Sequence, residues 1–340
     1  MKTDILRSDA GLFPWLVYKT LHEMGHDADL IYGHVDKNGV SRNKPQPDMR
    51  YDNRVQTQFW QDAARISQDP LIGLHVGQRL PVFRGQIFEY LFMSSANFGE
   101  ALMVLLDHYR YFSSALDIQL GFKDEHAYLV GFDHESPHYL HCVVSIVLSF
   151  LQHVSRGQFH PTAIWLCHHQ PDASPFEHTW QCPVAFNMPQ GCIQFPTVLL
   201  EQSSETAEPL LFDLHRDAIL QKLSWVECHD LIFKIQAVLP EQLQRREYRI
   251  EDIATCLNCS VRHMRQQLKV LNTTYEKVLH DFRKKLARDL VLDINISSDE
   301  VVYLTGFSEI SAFSRAFKEW TGESPSQYRK RIQQKLSLSA

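Results

Sequence analysis

The sequence contains no apolar run long enough to span a bilayer. Its best, Val143 to Leu151, falls far short of the ~20 residues a membrane helix needs, so no membrane insertion is expected. No export is expected either, because MKTDILRSDAG places charges where a signal peptide carries its apolar core. The seven cysteines are odd in number and scatter from Cys142 to Cys259. That pattern gives no extracellular disulfide framework and fits a reducing cytoplasm. Neither a glycine-rich phosphate loop nor a G-x-S-x-G nucleophile turn is present, so the two commonest hydrolase signatures are lacking.

What the chain does have is two polar stripes at helical spacing. Arg262, Arg265, Gln266 and Lys269 recur at i, i+3, i+4, i+7, and so do Ser311, Ser314, Arg315 and Lys318. Each set therefore lies along one side of a helix. Apolar residues hold the opposite phase: Val261, Met264, Leu268 and Leu271 in the first segment, Phe313, Ala316, Phe317 and Trp320 in the second. Two amphipathic helices with hydrogen-bonding outer faces predict a reader of duplex DNA with two heads.

At 340 residues and 44% hydrophobic content, the chain is long enough for two or three globular units. Charge divides unevenly among them. Residues 234–340 hold 18 Lys and Arg against 13 Asp and Glu, whereas residues 1–233 hold 16 against 27. An acidic half joined to a basic half fits a regulatory module attached to a phosphate-binding one. Two ordinary domains of different isoelectric point would divide the charge in the same way.

The carboxy-terminal third repeats one local grammar. Ile250, Ile253, Ala254 and Leu257 give a short helix with one apolar face; Asn258 suits the turn because Asn tolerates the left-handed region; Ser260 suits the cap of the next helix. Downstream, Val301, Val302 and Leu304 precede a turn at Gly306 and a cap at Ser308. Between them, Tyr275, Val278, Leu279, Phe282, Leu286 and Leu290 trace an amphipathic helix from the cap Thr274 to about Asp293. Its length of roughly 28 Å approaches the ~34 Å that separates successive major grooves on one face of DNA. The expected elements are a helix-turn-helix at 250–270, a connecting helix at 274–293 and a second helix-turn-helix at 298–320.

These residues resemble the DNA-binding domain of the AraC/XylS family of transcriptional regulators. The likeness is strongest in GFSEISAFSRAFKEWTGESPSQYR, residues 306–329, and looser in IATCLNCSVRHMRQQL, residues 253–268. It implies that Ser260, Arg262, Arg265 and Gln266 in the first unit, and Ile310, Ser311, Ser314 and Arg315 in the second, face bases and phosphates. Lys269 and Lys318 extend the two stripes. Arginine suits a bidentate bond to guanine, and Gln suits adenine, so Arg262 and Arg315 are expected to carry most base discrimination. The chain departs from the family in having Gln266-Gln267 where an Arg pair is common, Asn258 where Gly is common and Thr305 where Leu is usual. Phe307, Phe313, Phe317, Trp320 and Tyr328 are expected in the core rather than against bases. Lys284, Lys285, Arg329, Lys330 and Arg331 are candidate phosphate contacts, though exposed basic runs are often only solvated.

Residues 1–210 show an α+β pattern without repeats, with helices expected near 55–68, 99–115 and 138–155 and strands near 117–122, 126–132 and 163–168. DPLIGLHVGQRL (69–80), SSANFGEALMVLLDHYRYF (94–112) and CPVAFNMP (182–189) resemble the effector domain of the arabinose-binding branch of the same family. The resemblance implies a small-molecule effector, contact with RNA polymerase and a possible homodimer, but gives no binding residue. Arg79 and Arg84 are possible counter-charges for an acidic effector. EQSSETAEP, residues 201–209, is expected to be a loop, and the segment holding Leu214, Ile219, Leu223, Leu231 and Ile232 a helical coupling.

Two competing signals need weighing. His134, Glu135 and His138 satisfy H-E-x-x-H, the zinc peptidase pattern that places both His on one helical face. Pro137 lies inside the required turn, where it lacks an N–H and disfavours helical geometry at Ser136. It fits better as the first residue of the following helix, leaving His134 outside. An incidental metal site using His134, His138 and His141 is a second metal alternative. Cys256 and Cys259 form a lone C-x-x-C with no second pair, better suited to packing than to zinc, with a thiol sensor as the alternative.

The sequence thus predicts an α+β effector domain at 1–210, a helical linker at 211–233 and an all-α DNA-binding domain at 234–335. Its function is expected to be sequence-specific regulation of transcription in the cytoplasm, with double-stranded DNA as partner and no cofactor or enzymatic activity. The alternative from another class is a metal-dependent hydrolase using His134, Glu135 and His138. A third reading is a nonspecific architectural DNA binder.

Overall fold

The computed structural model describes residues 7–35, 45, 50–81, 85–293 and 296–337. The chain divides into two compact units, residues 1–224 and 225–340.

The first unit is α+β. A short strand β1 (Ser8–Ala10) leads into α1 (Leu12–Glu23) and α2 (Ala28–Val35), and pairs antiparallel with β2 (Arg50–Asp52). Four helices follow: α3 (Gln56–Ser67), α4 (Ile72–Arg79), α5 (Ile87–Ser94) and α6 (Phe98–His108). The main sheet has five strands, β3 (Gln119–Lys123), β4 (His126–Val130), β5 (Ala163–Trp165), β6 (Val184–Ala185) and β7 (Cys192–Pro196), in the order β3-β4-β7-β5-β6. Helices α7 (Pro137–Val154) and α8 (Ser174–Trp180) interrupt the strand run.

Of these elements, α3, α6, α7, β3, β4 and β5 lie near where the apolar pattern placed them; the others were not expected. The helix expected at 99–115 is shorter, because α6 gives way to a 3-10 turn at Tyr109–Tyr111. The sheet's central strand, β7, was not expected; it pairs with β4 on one side and β5 on the other. Within β7, Cys192, Ile193 and Phe195 are buried, while Gln194 and Pro196 are half-buried. Helices α4 and α7 approach closely because α4 presents glycine at the crossing. A Cβ on Gly77 would lie 2.7 Å from the Cβ of Ser145, so any larger residue there forces the helices apart.

Helix α9 (Pro209–Arg245) covers the expected linker at 211–233 and extends beyond it in both directions. Phe212 and Ile219 belong to the core of the first unit, whereas Leu231, Ile235 and Leu239 belong to a core of the second.

The second unit is all-α: α10 (Ile250–Cys256), α11 (Val261–Val270), α12 (Tyr275–Leu292), α13 (Ser298–Leu304), α14 (Ile310–Thr321) and α15 (Pro325–Ser337). Two small cores form within it. Ile253, Ala254, Met264 and Leu268 pack with Tyr275 and Val278 from the start of α12. Val301, Val302, Phe313, Phe317 and Tyr328 pack with Ala287 and Val291 from its end. One helix of 18 residues, about 27 Å long, thus supplies a wall to both cores. Burying each large side chain contributes roughly 1.5–3 kcal/mol, so α12 is held at each end by a core of its own.

Candidate DNA-binding faces

The first head is α10, a turn and α11. Asn258 takes the left-handed conformation at φ 52°, and the Ser260 hydroxyl accepts the His263 N–H at 3.1 Å, capping α11. The turn is closed by the Cys259 N–H, which donates to the Ala254 carbonyl at 2.9 Å. Met264 and Leu268 are buried, which leaves Arg262, Arg265, Gln266 and Lys269 together on the exposed side. Gln267 is half-buried and stands off that stripe. Among the described residues, the side chains of Arg262, Gln266 and Lys269 make no hydrogen bond or ion pair with protein. Arg265 acts on Glu276, whose carboxyl is held below its usual range mainly by hydrogen bonding at the start of α12 and in lesser part by this guanidinium.

The second head repeats the geometry with a different cap. Ser308 was expected to cap α14, but the helix begins later: Glu309 is the N-cap, and its side chain makes no capping bond. The Glu309 carboxylate instead accepts from the Ser311 hydroxyl at 3.1 Å. Phe313 and Phe317 are buried, so Ser311, Arg315 and Lys318 share the exposed side, with Ser314 half-buried beside them. Ile310 is 48% exposed at the start of the same face. The side chains of Arg315 and Lys318 have no hydrogen-bond or ion-pair partner among the described residues.

Gly306 makes the turn of this head as expected, and Arg283, which the sequence did not single out, braces it. Gly306 is left-handed at φ +69°. Thr305, where the resemblance leads one to expect Leu, is fully buried; its hydroxyl donates to the Val301 carbonyl at 2.6 Å, so the added polar group is satisfied. Arg283 of α12 donates its Nε–H to the Thr305 carbonyl at 2.9 Å, and its guanidinium lies 4.1 Å from the centre of the Phe307 ring. Burial pulls the pKa of this guanidinium below its ordinary value, yet arginine remains charged throughout the physiological range.

The other basic candidates separate by geometry. Arg329 is occupied, donating to the carbonyls of Val291, Asp293 and Ile296 where α12 ends. Arg331 pairs with Glu323 at 2.6 Å. Lys285 and Lys330 are exposed, and Lys284 is half-buried. The aromatic residues pack as expected: Phe313, Phe317 and Tyr328 are buried, and Phe307 and Trp320 lie against them.

The H-E-x-x-H residues do not converge. Pro137 is at the start of α7, capped by Ser136, and His134 stands outside it with both ring nitrogens engaged. The Ser136 N–H donates to Nδ1 at 2.9 Å, which makes Nε2 the donor to the Asn53 side-chain Oδ1 at 2.7 Å. His138 faces His141 instead. Among the described residues no group of three His, Cys, Asp or Glu is arranged to hold a metal ion. Cys256 and Cys259 are unpaired and half-buried, and burial raises the Cys259 thiol pKa, which opposes a reactive thiolate. Arg79 is exposed on α4, while Arg84 lies outside the described residues. No helix among those described is long and apolar enough to cross a membrane.

Two helix-turn-helix heads on a common connecting helix, each with a polar outer face, define a DNA-binding regulator of transcription. The comparisons agree. Residues 32–204 match the family described as the arabinose-binding domain of AraC transcription regulator, N-terminal, and residues 253–331 match a helix-turn-helix domain family. The chain belongs to the AraC family of transcriptional regulators. It is similar to the ornithine utilization regulator of Pseudomonas aeruginosa, 27% identical over 80% of this chain and 82% of that one. Similarity extends to the regulator VqsM of the same organism, 22% identical over 76% and 83%. Among solved structures, the regulator CdpR of Pseudomonas aeruginosa covers 88% of this chain and 96% of its own at 21% identity, with a TM-score of 0.41.

Proposed function

We propose that the two exposed stripes are the surfaces that bind duplex DNA, and that the pair reads one asymmetric site on a single face of the helix. The observation that carries this reading is that the arginines and lysines of both stripes are exposed and almost free of protein partners, while each helix is anchored by its opposite side. Arg262 and Arg315 are the side chains best suited to a bidentate bond with guanine, and Gln266 to adenine. Ser260, Ser311 and Ser314 suit phosphates or single base edges, and the exposed Ile310 suits a thymine methyl. Arg265, Lys269 and Lys318 neutralise backbone phosphates. With α12 about 27 Å long, the heads fit successive major grooves about 34 Å apart.

In this reading residues 1–210 bind a small-molecule effector, residues 211–233 couple, and residues 234–335 bind DNA. The effector changes DNA affinity by as much as its own preference between two states of the protein. Activation through contact with RNA polymerase, a homodimeric form and a cytoplasmic location complete the proposal. The test is footprinting of genomic fragments selected by the purified chain, with and without a metabolite extract. Protection of about twenty base pairs with contacts in two adjacent major grooves is expected; uniform protection of all fragments at fixed salt would make the protein a nonspecific binder instead.

A further inference from the structure

The first unit contains a cavity of about 140 Å³ whose wall is almost wholly hydrocarbon. Native interiors hold few voids larger than a water molecule, and an apolar cavity of ~150 Å³ stays dry and takes up benzene. The space lies between α6 and α7, with Leu105 and Leu106 on one side and Val143, Ile146 and Val147 on the other. These residues are only half-buried although they are apolar. Apolar side chains that fold against an unfilled space leave surface for something else to cover.

The polar residues in the wall are already used by the protein. The Asp9 carboxylate accepts hydrogen bonds from Asn53, Gln56, Ser113 and Tyr139, at 2.8, 3.0, 2.6 and 2.9 Å. The Tyr109 hydroxyl donates to the Leu116 carbonyl and accepts the Ile118 N–H. Gln86 differs: it is half-buried, and among the described residues its side-chain amide has no partner. Among the described residues, no Lys, Arg or His lines the cavity. A sugar would bury hydroxyls without partners, and an amino acid would bury charges without counter-ions, each at a large desolvation cost.

We propose that this cavity is the effector site, and that it takes a compact hydrocarbon body with at most one uncharged polar end, which meets Gln86. In size this corresponds to a single aromatic ring or a chain of about six carbons. The inference rests on the effector-controlled reading above, and it runs against arabinose-like chemistry despite the match to an arabinose-binding domain family.

Four probes test it on the full chain: toluene, 1-hexanol, L-arabinose and L-ornithine, followed by thermal unfolding and by the DNA footprint. Toluene or 1-hexanol should raise the melting temperature saturably and shift the DNA affinity severalfold, and which of them binds more tightly distinguishes a ring from a chain. The sugar and the amino acid should do neither. Val147→Phe fills the space and should weaken probe binding at least tenfold while the footprint remains. If that variant does not fold, Leu106→Ala enlarges the cavity and should shift preference toward 1-octanol. The proposal is overturned if neither apolar probe binds, if arabinose or ornithine binds in their place, or if a saturating apolar probe leaves DNA affinity unchanged. Absence of any footprint, with probes still binding, would instead defeat the DNA-binding reading.

Discussion

Arg283, in the middle of the connecting helix, donates to the backbone carbonyl of Thr305 in the turn of the second head while lying across the face of Phe307. One side chain therefore ties α12 to the residue that precedes the left-handed Gly306. The bond is charge-assisted and partly buried, which makes it stronger than an ordinary surface contact.

Arg283→Ala should destabilise the second unit by about 1–3 kcal/mol, the cost of leaving a buried carbonyl unpaired. Arg283→Lys should recover only part of this, because an ammonium lacks the planar guanidinium that stacks on the ring. Urea unfolding followed at the second unit checks both; equal stability of wild type and alanine variant would refute the role.

The two turns respond differently to substitution. Gly306→Ala adds a Cβ 2.9 Å from Leu243 Cδ2 at a positive φ, and should cost more than about 1 kcal/mol. Asn258→Gly, at φ 52° with an exposed side chain, should change stability by only a few tenths of a kcal/mol. Melting temperatures of the two variants, measured side by side, give the comparison.

The features legible in the sequence are those decided within a few residues. Ser260 and Thr274 cap the helices they were expected to cap, and Asn258 makes the turn, because cap and turn chemistry is local. Glu309 displaced Ser308 as the N-cap, a shift of one residue that periodicity does not resolve. Strand β7 was missed because it is five residues long and its partners lie far away in sequence, Ala127 pairing with Phe195. Arg329 looked like a phosphate contact because its neighbours are basic, yet it closes the end of α12 by bonding carbonyls that no sequence pattern reveals. The cavity was equally hidden, although its walls include the apolar runs at Leu102 to Leu106 and Val143 to Leu151, each too broad for a single buried face.

Acid should unfold the first unit before the second. His138, His141 and His168 cluster with their Nδ1 atoms buried and without a hydrogen-bond partner among the described residues. Burial is the leading cause that lowers all three pKa values, to about 4 for His168. The unfolded chain, with histidine near 6.5, then binds more protons than the folded one, so stability rises with pH. It should be fully present above about pH 6.5 and be lost as the pH falls toward 4. His168→Gln should flatten the dependence of the urea midpoint between these limits, and an unchanged slope would show that the cluster does not control it.

Base contacts and phosphate contacts on the two stripes should separate by their salt dependence. Arg262→Ala and Arg315→Ala should each cost about 1–3 kcal/mol on the selected site and relax discrimination at one base position, with little loss on unrelated DNA. Lys269→Ala and Lys318→Ala should weaken binding to every sequence alike. Each should also lower the slope of log affinity against log salt by about 0.9, because one fewer phosphate is neutralised. Titrations at several salt concentrations on matched and mismatched sites measure both quantities. If the arginine variants instead lost affinity uniformly across sequences, the stripes would hold DNA without reading it, and discrimination would have to come from DNA shape.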